Sequence, residues 1–173
     1  MTHSRNRKIA IAALFTACGI LCGYIEFLFP LPIGIPGVKL GLSNIVTVLC
    51  LYMFDPVLSI TVLVLRVLLS GLMFGNAFGI LYSLSGALLS FGAMLLGRRL
   101  RCFSVAGVSV IGGIAHNIGQ LLIASLIIDE LKLFFYLPVL LISGVVCGAI
   151  VGIVSNILLR TLNKSVSIKG DLK

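Results

Sequence analysis

The sequence predicts an all-α membrane protein: a compact bundle of about six transmembrane helices forming a single integral domain over residues 1–173, with both termini on the cytoplasmic side. Three observations carry this expectation. Hydrophobic residues make up 60% of the 173-residue chain and charged residues only 10%, with a mean hydropathy of +1.22. A soluble domain carries roughly 25% charged residues, so this chain cannot cover a surface facing water. The apolar residues also gather into runs near the roughly 20 residues that cross a hydrocarbon core. Finally, the basic residues cluster at the ends of those runs.

The runs fall at about 8–29, 38–54, 57–73, 77–97, 104–128 and 136–160, the second and third being short. The segment Met1-Thr2-His3-Ser4-Arg5-Asn6-Arg7-Lys8 resembles the start of a signal peptide. The apolar stretch behind it outlasts the ~7–15-residue core of such peptides, so it is expected to stay as the first spanning helix. Pro30, Pro32 and Pro36 with Gly34 and Gly37 break the chain after that run. Asp55-Pro56, Gly75-Asn76, Arg98-Arg99-Leu100-Arg101 and Asp129-Glu130-Leu131-Lys132 separate the later ones.

Orientation follows from the positive-inside rule. With six spans, Arg5, Arg7, Lys8, Arg98, Arg99, Arg101, Arg160, Lys164, Lys169 and Lys173 share one face, against Lys39 and Lys132 on the other. The net charge of +8 is thus an orientation signal in the cell membrane and not a nucleic-acid footprint. The five cysteines form no C-x-x-C pair and lie mostly in apolar runs, which supports neither a metal site nor a disulfide framework. Small residues recur every four positions at Gly19/Gly23, Gly37/Gly41, Gly71/Gly75/Gly79 and Gly144/Gly148/Gly152. Such ridges let helix backbones approach closely in lipid. Ala13 and Ala17 have the same spacing and could form an outward strip for a partner helix.

Polar side chains inside spans are costly and usually face a cavity or one another. Arg66, about ten residues into the third run, is expected at or beyond the midplane, as a packing tie or as a ligand for carboxylate or phosphate. Lys39 and Ser43 share a face at the start of the second run with Asn44 alongside. There a helix N-terminus favours anions, although Lys39 could equally snorkel to headgroups. His116 and Gln120 share a face of the fifth run, flanked by Asn117. Glu26 is a candidate counter-charge for Arg66 or Lys39, Asn76 falls at the outer mouth, and Asn156 on the cytoplasmic side is expected to be a packing contact. These positions predict a polar, net-positive pocket in the outer half of the bundle, under the Pro/Gly loop, for a small polar or anionic ligand.

Pro36-Gly37-Val38-Lys39-Leu40-Gly41-Leu42-Ser43-Asn44 and Gly113-Ile114-Ala115-His116-Asn117-Ile118-Gly119-Gln120 resemble the signature segments of the Gx transporter family, also labelled heptaprenyl diphosphate synthase component I. The resemblance runs from about Arg7 to Leu162. It implies a layout similar to the S components of energy-coupling factor transporters. In those a loop after the first helix caps an outward-facing site, which loop 30–37 would match. An Ala-x-x-x-Ala strip docks on a partner scaffold, which Ala13 and Ala17 would match.

Two roles follow as expectations. One is a binding and translocation subunit that works with a transmembrane scaffold and separate ATPase subunits. The alternative is a non-catalytic membrane subunit beside a prenyl synthase subunit. Trans-prenyl synthases hold Mg-diphosphate on clustered aspartates, and this chain has only the scattered Asp55, Asp129 and Asp171. It also lacks a Walker A sequence, G-x-S-x-G and H-E-x-x-H. No catalytic residue, metal or cofactor is therefore expected.

Overall fold

A computed structural model describes residues 2–29 and 41–170 of the chain. It is an all-α bundle: α1 (Thr2–Leu28), α2 (Leu42–Met53), α3 (Pro56–Phe74), α4 (Ala77–Arg99), α5 (Val105–Ile128) and α6 (Leu137–Gly170), with a short 3-10 helix (Leu131–Tyr136) before α6. Five helices are long and apolar enough to cross a membrane, as befits a multi-pass membrane protein.

The second run departs from expectation. Its helix has 12 residues, about 18 Å at 1.5 Å per residue against a hydrocarbon core of about 30 Å. Its ends are fixed locally. Gly41 is left-handed, with φ 78°, so no helix continues back through it, and Phe54 is extended ahead of Asp55-Pro56. Residues 38–40 of the expected span lie outside the described residues. The outer helices run past their predicted limits, α1 starting at Thr2 and α6 ending at Gly170.

The turns are set by side-chain caps. Asp55 accepts from Leu58 N at 2.8 Å with Pro56 behind it, Asn76 accepts from Gly79 N at 2.7 Å, and Ser104 accepts from Gly107 N at 3.1 Å. Each cap satisfies a backbone donor that the first helical turn leaves open. The Leu58 N–H and then the Lys8 ammonium hold the Asp55 carboxyl below its ordinary range.

Contacts at the ends fix the order of passes. Lys8 of α1 meets Asp55 at 3.3 Å. Arg98 of α4 donates to the Leu51 carbonyl near the end of α2 and sits over the Tyr52 ring, 5.1 Å from its centre. Arg160 of α6 shares a cleft with Tyr52, Val105 and Asn156. At the other end Tyr24 and Phe27 of α1 meet Phe74 of α3, each pair 5.6 Å between ring centres. The helices therefore alternate in direction, and Lys8, Arg98 and Arg160 belong to one end.

Two packing regimes hold the bundle. α4, α5 and α6 approach backbone to backbone. A Cβ on Gly113 would lie 2.3 Å from the Gly144 carbonyl oxygen, one on Gly152 2.6 Å from Ala106 Cα, and one on Gly119 2.9 Å from the Ser85 carbonyl oxygen. α1, α2 and α3 meet through larger side chains, with Ala12, Val46, Cys50 and Val62 buried together against Phe15 and Phe54. A second buried cluster, including Val48, Leu63, Phe91, Val108 and Val151, ties the two halves.

Candidate functional site

Between the halves lies a cavity of about 620 Å³, lined from all six helices. Small residues make the room for it. Gly79, Ser83, Ala87, Ser90 and Met94 line it at one-turn spacing, so it follows α4 for about 22 Å at 1.5 Å per residue. Gly112 and Gly113 of α5 and Gly144 and Gly148 of α6 line it as well.

Arg66, near the middle of α3, reaches this cavity and is 6% exposed. Its Nη2 donates to Asn44 Oδ1 at 2.9 Å and to Thr47 Oγ1 at 3.1 Å. Its Nε is buried without a hydrogen-bond partner. Gly19 makes space for the stem, since a Cβ there would lie 2.9 Å from Arg66 Cδ. A buried charge needs hydrogen bonds or an opposite charge to offset lost hydration. Two neutral acceptors from α2 supply part of that need.

Glu26, a candidate counter-charge for Arg66 or Lys39, lines the same cavity and makes no direct ion pair with Arg66. Its Oε1 instead accepts from Gly41 N at 2.5 Å, and the ion pairs among the described residues are Lys8–Asp55 and Lys132–Glu130. The reason is local. Left-handed Gly41 points its free N–H at the end of α1, and a carboxylate is a strong acceptor for it. Lys39, the other proposed partner, lies outside the described residues, as does loop 30–37. The described part of the lining holds one guanidinium and one carboxylate, so the net-positive character expected of the pocket is absent from it.

Ser43, Asn44, His116, Asn117 and Gln120 also line the cavity. Asn117 Nδ2 donates to the Leu140 carbonyl at 2.6 Å and to Ser143 Oγ at 3.1 Å, which ties α5 to α6. Gln120 is buried, and a Cβ on Gly86 would touch both its Cγ and the His116 backbone. Glycine at position 86 thus lets the His116–Gln120 face seat against α4. Asn76 does not line the cavity: it is exposed and caps α4. Ala13 and Ala17 are exposed on the outer face of α1, beside Leu14 and Leu21.

Sequence reasoning missed Thr47, Ser70, Ser83, Ser90, Ser109, Ser143 and Cys147, of which all but Thr47 line the cavity. Thr47 lies three residues after Asn44, and Ser83 and Ser90 lie in register with Gly79 and Ala87. A helical-face count would have flagged both groups.

The family model described as heptaprenyl diphosphate synthase component I matches residues 15–158. Neither a curated protein nor a solved structure matches the chain.

Proposed function

This chain belongs to the heptaprenyl diphosphate synthase component I family, and from that premise we propose that it is a non-catalytic membrane subunit. In this reading it holds a small polar or anionic molecule in its intramembrane chamber and works beside a separate prenyl synthase subunit. The observation that carries the binding role is the cavity itself. Glu26, Asn44, Arg66, His116 and Gln120 come from four different helices and line one space. Polar groups inside an apolar bundle are costly and face one another or a polar space, and these five do both. The family's description supports the partner. Prenyl transfer needs clustered carboxylates for its metals, and Asp55, Asp129 and Asp171 are far apart in sequence, so the chemistry falls to the partner. The basic end of the bundle, with Lys8, Arg98 and Arg160, faces the cytoplasm of the cell membrane under the positive-inside rule.

A second reading has its own support. A polar chamber inside a bundle of alternating helices, with exposed Ala13 and Ala17 on α1, suits a translocation subunit seated on a transmembrane scaffold driven by ATPases. Affinity capture of the tagged full-length protein from its native membranes separates the two. Recovery of a soluble prenyl synthase subunit supports the first reading. Recovery of a membrane scaffold with ATPases, lost on Ala13→Leu/Ala17→Leu, replaces it with the second.

A further inference from the structure

Arg66 and Glu26 border one cavity and are not paired with each other. Each is engaged on one side only. Glu26 Oε1 takes the Gly41 N–H and Arg66 Nη2 serves Asn44 and Thr47, which leaves Glu26 Oε2 and Arg66 Nη1 without hydrogen bonds among the described residues. Gly19 packs on Arg66 Cδ, and Glu26 lies about two turns farther along the same helix. Val48, Val67, Met94 and Val151 line the same cavity, so an apolar body can be housed beside the charged pair. The volume of about 620 Å³ lies within the roughly 300–1,000 Å³ of small-molecule sites.

We propose that the chamber takes a zwitterion of the α-amino-acid type with an apolar side chain. Its carboxylate meets Arg66, its ammonium meets Glu26, and its side chain lies toward Val48, Val67 and Met94. A zwitterion brings an opposite charge to both protein groups at once, whereas an anion meets only Arg66 and an amine only Glu26. This inference rests on the binding role proposed above and names its ligand class.

Cys147 lines the cavity and Cys102 is exposed outside it, so the chain carries its own reporter and reference. The test treats full-length protein in nanodiscs with a small alkylating reagent and follows both thiols by peptide mass spectrometry. The probes are L-phenylalanine, L-leucine and L-methionine, with N-acetyl-L-phenylalanine as the anion and L-phenylalanine methyl ester as the amine. The expected result is that at least one free amino acid slows Cys147 alkylation tenfold or more while Cys102 is unchanged. Both blocked forms should need at least tenfold higher concentration, and Glu26→Gln should remove the preference over the N-acetyl form. If Glu26→Gln fails to fold, the wild-type comparison decides alone. Protection by no free amino acid overturns the proposal, and so does equal protection by the N-acetyl form. The latter leaves the chamber as a binding site. Failure to capture a synthase subunit, with zwitterion protection intact, removes the partner reading and leaves this one standing.

Discussion

Helices α4 to α6 touch backbone against backbone through Gly113, Gly119, Gly144 and Gly152, whereas α1 to α3 touch through side chains and carry both charges of the chamber. At these four glycines the half has no slack: an added Cβ meets a main chain that cannot turn aside. The other half is held partly by polar contacts, with Arg66 bonded to Asn44 and Thr47 and Glu26 bonded to Gly41. One half is thus a stiff wall of amides and hydroxyls. The other is a charged wall whose bonds a ligand can exchange, since Arg66 and Glu26 each keep unused capacity.

Substitutions can break or sharpen this contrast. The largest effect is expected at Gly113→Ala, whose Cβ would meet the Gly144 carbonyl oxygen at 2.3 Å. Overpacking against backbone should cost about 3 kcal/mol, read as loss of thermal stability in detergent. In the charged half, Asn44→Leu removes an acceptor from a buried guanidinium and should cost about 2 kcal/mol. Adding Arg66→Met should recover much of that loss, because the charge that needed the acceptor is gone. A double-mutant cycle without coupling would show that the contact is incidental.

Asn117→Leu, which unties α5 from the Leu140 carbonyl, should cost about 1 kcal/mol. The glycine-rich half is not uniformly intolerant. A Cβ on Gly92 meets nothing within 4 Å, so Gly92→Ala should stabilise by about 0.5–1 kcal/mol through helix propensity. A loss there would mean that the open face of α4 is covered in the membrane. The smallest effect belongs to the exposed Asp55–Lys8 contact. Asp55 titrates below its ordinary range when folded. Its contribution is therefore present above the unfolded carboxylate pKa of about 4 and disappears as pH falls through the folded value. Asp55→Ala should lower the melting temperature slightly at pH 7, and the gap from wild type should close as the medium is made more acid.

Much of this was legible in the sequence, for reasons that differ by residue. Asp55, Asn76 and Ser104 announce helix starts because a short polar side chain at that position bonds the open backbone donors. The length of α2 was misjudged, since hydropathy does not register a left-handed glycine at position 41. Glu26, expected as a counter-charge of Arg66 or Lys39, makes no ion pair with Arg66 and accepts from Gly41 N. Charge alone favours an arginine, and the free N–H of Gly41 is visible only once the chain is folded. The polar set itself was mostly recoverable, because amides and charges inside apolar runs have few other reasons to be there.

Composition and run length by themselves determined the class of molecule and the number of helices, and the basic clusters predicted which ends lie together. They suffice because the transfer of each side chain to lipid is a local quantity that sums along the chain. Only the tertiary structure decided that Arg66 binds Asn44 and Thr47, that Asn76 is a cap outside the chamber, and that Arg66 and Glu26 share one cavity unpaired. Those outcomes depend on how closely helices approach and turn toward one another, which glycine contacts between distant segments set, and no local window of sequence contains such a distance.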